Sequence, residues 1–113
     1  MAETLDMIYL FGYSSNMGTH LERLLSILKS QKKKNSKIGI VLIHDGVIGI
    51  TTRGRISKEM EDLLDINVIV FAMIPDLKAR GIALEYISEK IRLIEYDNLV
   101  DILDTTPKII SWM

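Results

Sequence analysis

The side chains able to do chemistry gather at a few places, and one type is missing altogether. Ser14, Ser15, Asn16, Gly18 and Thr19 lie between an apolar run ending at Phe11 and the first amphipathic stretch. Small polar residues ahead of a helix can cradle a phosphate with backbone N–H groups and the helix dipole, as in a flavodoxin-like nucleotide or flavin site. The segment fits neither G-x-x-x-x-G-K-S/T nor G-x-G-x-x-G, and any helix start uses the same residues as caps, so capping is the expected role and cofactor binding the alternative. His44 and Asp45 could form a base with its orienting carboxylate. Neighbours on an extended chain point to opposite faces, however, so a turn is expected there. His20 sits beside Glu22 and Arg23, and the two histidines share neither an i, i+4 nor an H-x-H spacing, so no metal site is expected. Arg53 and Arg55 flank Gly54 and are expected to be solvated loop residues, with contact to an anion or RNA as the alternative. Nothing assembles a nucleophile, a base and an oxyanion hole, so the chain is expected not to be an enzyme. No cysteine occurs among the 113 residues. Disulfides, thiolate zinc sites, iron–sulfur clusters and persulfide carriage are therefore excluded for this polypeptide.

The elements that must position these residues follow from hydrophobic periodicity. Met7 to Phe11 is rich in β-formers and runs into Gly12, which predicts a strand. Leu21, Leu24, Leu25 and Leu28 recur at spacings of three and four, which predicts a helix starting at Thr19, or earlier at Ser15 or Asn16, and ending in Lys29 and Lys32 to Lys34. The continuous apolar run Ile38 to Ile43 suits a parallel strand covered on both faces, and a short apolar piece, Val47 to Ile50, follows it. Ser57 caps a predicted short helix carrying Leu63 and Leu64. Val68 to Ile74 reads as a buried strand ended by Pro75, and Asp76 to Ile82 as a short helix stopped by Gly81. Ile91 to Tyr96 predicts a fourth strand. Asp97 caps a helix with Leu99, Val100, Ile102 and Leu103, and beyond Pro107 the segment Lys108 to Trp112 supplies a last strand. Strands alternating with helices imply a three-layer α/β/α fold with flavodoxin-like layering and a mostly parallel sheet of about five strands.

At 113 residues the chain has room for one core, so residues 1–113 are read as one domain. No apolar run approaches the roughly 20 residues of a membrane helix, and the N-terminus lacks the pattern of a secretion signal. A cytoplasmic location is expected. The net charge of -1 provides no broad positive field, which disfavours stand-alone nucleic-acid binding. The 48% hydrophobic content lies at the upper end of the ordinary globular range, and surplus apolar surface for an oligomer is expected.

Three segments together resemble one family: His44-Asp45-Gly46-Val47, then Val70-Phe71-Ala72-x-x-Pro75-Asp76-Leu77-x-Ala79-Arg80-Gly81-Ile82, then Leu93-Ile94-Glu95-Tyr96-x-x-Leu99-Val100-x-Ile102-Leu103 leading to Trp112. The chain is similar to the DsrH/TusB family of small sulfur-relay proteins, closely over residues 38–113 and loosely before them. The resemblance implies a DsrE/DsrF-like fold and membership in an oligomer with DsrE/TusD-type and DsrF/TusC-type subunits. It also implies a part in passing sulfane sulfur toward tRNA 2-thiolation or in sulfur oxidation. Members of the sulfur-oxidising branch carry a cysteine on the first helix, and here the positions around Leu24 offer none. A persulfide acceptor role therefore does not carry over, and a structural or docking subunit without a cofactor remains. His44, Asp45, Gly46, Asp76, Arg80, Gly81 and Trp112 are the motif and interface candidates. Asp76 and Arg80, four apart, are expected to pair on a helix face, with Gly81 ending that helix. A homo-oligomeric domain of another role is the third alternative.

Overall fold

The computed structural model describes residues 5–14, 19–32, 37–51 and 56–112. Five strands form one sheet: β1 (Met7–Phe11), β2 (Ile38–Leu42), β3 (Ile69–Met73), β4 (Ile91–Ile94) and β5 (Lys108–Trp112). Their order is β4-β3-β2-β1-β5, and every pairing is parallel. Four α-helices connect them: α1 (His20–Lys32), α2 (Lys58–Asp65), α3 (Ile74–Ala79) and α4 (Tyr96–Thr105).

The alternation of side chains along each strand splits the core in two. On one face Tyr9, Phe11, Ile40, Leu42, Val70 and Ala72 meet Leu21, Leu24, Leu25 and Leu28 of α1, Met60 and Leu63 of α2, and Leu77 of α3. On the other, Ile8, Val41, Phe71, Met73 and Ile94 are covered by Leu99, Ile102 and Leu103 of α4. The chain steps outward from β1 to β4 with α1, α2 and α3 on one side. Helix α4 then returns across the opposite side and lays β5 beside β1. Strand β2 is buried at all five positions, which is why its sequence is a continuous apolar run.

The element boundaries correct several expectations. Pro75 does not follow a strand end at Ile74; it lies in the first turn of α3, where its missing N–H costs nothing. Helix α3 ends in a Schellman arrangement. Gly81, at φ +67°, donates to Lys78 O, and Ile82 donates to Leu77 O at 2.9 Å. Strand β4 stops at Ile94, and Glu95, not Asp97, caps α4: its side chain accepts from the Asn98 backbone while Asn98 Oδ1 accepts from Glu95 N at 2.9 Å. The short apolar piece Val47 to Ile50 is the end of a 3-10 turn, His44–Val47, and the residues after it. Ser57 caps α2 as expected, its hydroxyl accepting from Met60 N at 3.2 Å.

Candidate functional site

Parallel α/β sheets bind ligands and partners beyond the carboxyl ends of their strands, and here the family-motif residues converge at the ends of β2 and β3. As β2 leaves the sheet the chain folds into the 3-10 turn His44–Val47. The turn is pressed against the end of β1: Ile43 N donates to Phe11 O at 3.1 Å, and Gly46 N donates to Ile43 O at 2.8 Å. A Cβ on Gly46 would stand 2.2 Å from Phe11 O, so only glycine fits. His44 takes φ +49°, the only positive φ at a non-glycine among the described residues.

Helix α3 supplies the clamp for that turn. Asp76, in its first turn, is buried, and its Oδ2 accepts from His44 N at 3.0 Å. Arg80, at its C-cap, donates from Nε and Nη2 to Asp45 Oδ1 at 3.3 and 3.1 Å. Arg80 Nη1 also donates to Asp76 O at 3.3 Å and lies 3.9 Å from Asp76 Oδ1. The i, i+4 pair therefore forms, but the shorter contact of Arg80 is to Asp45, thirty-five residues away. Asp45 is 63% exposed, so this pair fixes geometry more than it stabilises. His44 and Asp45 lie in a turn, as expected above. They share a 3-10 turn, and the carboxylate of Asp45 is taken up by Arg80, not by the imidazole.

The other candidates lie apart from this clamp or outside the described residues. Ser15, Asn16, Gly18, Arg53 and Arg55 fall outside them. Ser14 is half-buried after β1, and Thr19 precedes α1, its carbonyl accepting from Arg23 N at 3.0 Å. His20, the first residue of α1, stacks on Tyr13 with ring centroids 3.7 Å apart and planes 12° from parallel. Tyr13 packs edge-on against Phe11, and the Trp112 ring lies 6.5 Å from that of Phe11. This row of rings across the ends of β1 and β5 had no signal in the sequence, because only the parallel β1–β5 pairing brings Trp112 to Phe11. Trp112 O also accepts from Gly12 N at 2.9 Å, tying β5 to the end of β1. Among the described residues no three His, Asp or Glu side chains are arranged to hold a metal ion, and no helix is long and apolar enough to cross a membrane.

The fold is an α/β fold with one five-stranded parallel sheet, and solved structures share it. The ychN protein from E. coli superposes with a TM-score of 0.79 at 14% identity, over 96% of this chain and 99% of that one. MTH1491 from Methanobacterium thermoautotrophicum, a protein of unknown function, superposes with a TM-score of 0.73 at 15% identity, over 93% and 96%. In sequence, the family model described as DsrH like protein matches residues 14–109. Protein TusB of Pectobacterium atrosepticum is 37% identical over 73 residues, which cover 65% of this chain and 73% of that protein; Protein TusB of Pectobacterium parmentieri is 34% identical over the same length. This chain belongs to the DsrH family.

Proposed function

We propose that this chain is a non-catalytic, cytoplasmic subunit of a sulfur-relay complex, built from one domain that docks DsrE/TusD-like and DsrF/TusC-like partners. The observation that carries the proposal is DsrH-family membership in a chain with no cysteine. Sulfane sulfur travels on thiolates, so the sulfur-bearing residues belong to the partners. The thiouridine branch, which delivers sulfur toward tRNA 2-thiolation, is the better fit, because the first-helix cysteine of the sulfur-oxidising branch is missing. Asp45, Gly46, Asp76, Arg80 and Gly81, with the backbone of His44, shape the docking face at the ends of β2 and β3, and Trp112 the one at the end of β5. Exposed apolar residues support docking too: Tyr96 and Val100 on α4 are 57% and 62% exposed, and Ile109 on β5 is 45% exposed.

The test is to purify the chain under native conditions from its own cells and identify what accompanies it. Stoichiometric cysteine-bearing partners of the same fold are the expected result. A homogeneous monomer at ~50 μM, well above the roughly micromolar dissociation constants of modest interfaces, would contradict the proposal.

A further inference from the structure

The clamp at the ends of β2 and β3 fixes everything in the His44–Val47 turn except one side chain. Asp76 holds the His44 backbone, Arg80 holds the Asp45 carboxylate, and Gly46 is wedged against Phe11 O. The His44 imidazole is exposed and makes no hydrogen bond or ion pair among the described residues. Its backbone nevertheless adopts φ +49°, a conformation glycine would take without strain. A bulky side chain kept in the left-handed region by a surrounding that over-determines it, and unused by the fold, marks a place of function.

We infer that the His44 imidazole is the group this cysteine-free chain contributes to sulfur transfer, acting on a thiol carried by a partner subunit. The inference rests on the sulfur-relay reading above and replaces its non-catalytic part: the chain carries no sulfur but supplies a proton acceptor to its partners. In the step, an acceptor thiol of one partner gives its proton to the imidazole, and the resulting thiolate attacks the outer sulfur of a donor persulfide on another partner. The donor S–S bond breaks, a new S–S bond forms on the acceptor, and the donor sulfur leaves as a thiolate that recovers the proton from the imidazolium. The sum converts a persulfide and a thiol into a thiol and a persulfide, with no net oxidation. The charged groups that hold the turn are Asp45 within it and Asp76 and Arg80 on α3; the end of β1 meets the turn through the backbone of Phe11. With Asp45 already held by Arg80, the ring stays free to face the partner.

The experiment uses the complex purified with the full-length chain and follows labelled sulfane sulfur between partner cysteines as a function of pH, with wild type, His44→Gln and His44→Gly. The wild-type rate should fall on the acid side, because a protonated imidazole cannot accept the thiol proton. His44→Gln should be slower by roughly 10²-fold and lose that acid limb. His44→Gly should keep an equal or higher Tm, keep its partners, lose the same rate, and regain part of it when imidazole is added to the buffer. An unchanged rate and pH profile in both variants would overturn the inference and leave the relay reading standing. Loss of partner capture by a folded His44→Gln chain would also overturn it, making His44 a docking contact. A wild-type complex that passes no labelled sulfur would overturn the relay reading, and the inference with it.

Discussion

Substituting Gly46 with alanine tests whether the turn after β2 is wedged against β1 as the geometry requires. The new Cβ would lie 2.2 Å from Phe11 O and 3.1 Å from Phe11 C, both backbone atoms of the interior strand β1. No rotamer change can relieve that contact, so the turn must move away by about 1 Å to reach an ordinary separation. That movement strains the 3.1 Å bond from Ile43 N to Phe11 O and the 2.8 Å bond from Gly46 N to Ile43 O. Overpacking of this kind costs about 1–3 kcal/mol, and each weakened hydrogen bond adds about 1 kcal/mol, for a loss of about 3–5 kcal/mol. Unfolding entropy of about 2.1 cal/mol/K per residue over 113 residues makes each kcal/mol worth about 4 °C of Tm. Gly46→Ala should therefore melt about 12–20 °C below wild type, or fail to fold. Gly81→Ala is the control: its Cβ meets nothing within 4 Å, and the cost is only that of φ +67° for a non-glycine, about 1–2 kcal/mol. Thermal and urea unfolding of both variants decide the matter. Gly46→Ala within 1 kcal/mol of wild type, or no worse than Gly81→Ala, would refute the wedged turn.

Other consequences follow from the same clamp and from β5. Asp76→Ala removes the buried acceptor of His44 N and should cost about 1–3 kcal/mol, whereas Asp76→Asn, which keeps an acceptor oxygen there, should cost clearly less; equal losses in urea unfolding would contradict the assigned bond. Asp45→Ala, losing a pair whose carboxylate is 63% exposed, should stay within about 0.5 kcal/mol of wild type, and a larger loss would mean that the pair carries stability. Trp112→Ala removes the ring beside Phe11 and one of the surfaces offered to partners; it should shift the sedimentation of the assembly toward smaller species and lower the Tm by several degrees, and an unchanged profile would argue against β5 as a contact edge.

The sheet was legible in the sequence because each of its strands is a short apolar run between polar breaks, and α1 and α2 because their leucines keep helical spacing. The boundaries that shifted did so for local reasons. Pro75 marks a helix start as readily as a strand end, since proline suits a first turn. Glu95 took the cap of α4 because Asn98 answers it across three residues, while Asp97 lies inside the first helical turn. The clamp was half legible: Asp76 and Arg80 announce a helix-face pair by spacing alone, but their stronger engagements, with His44 N and Asp45, span 32 and 35 residues and exist only once β2 and β3 lie side by side. Gly46 stood out only as a family-motif residue, and its close approach to Phe11 likewise depends on the β1–β2 pairing. The stacking of Tyr13 on His20 had no counterpart in sequence, because the two rings belong to no shared periodic pattern.

The central claim, that this chain serves sulfur relay without carrying sulfur, is tested most directly by labelling. A cysteine desulfurase charged with labelled cysteine is given the chain alone and then the chain with its native partners, and the subunits are separated without reductant. Label should appear as reductant-sensitive persulfide on partner subunits and never on this chain, which has no cysteine to hold it. Stable, reductant-sensitive label on the isolated chain, or partners that take up no label in its presence, would contradict the account.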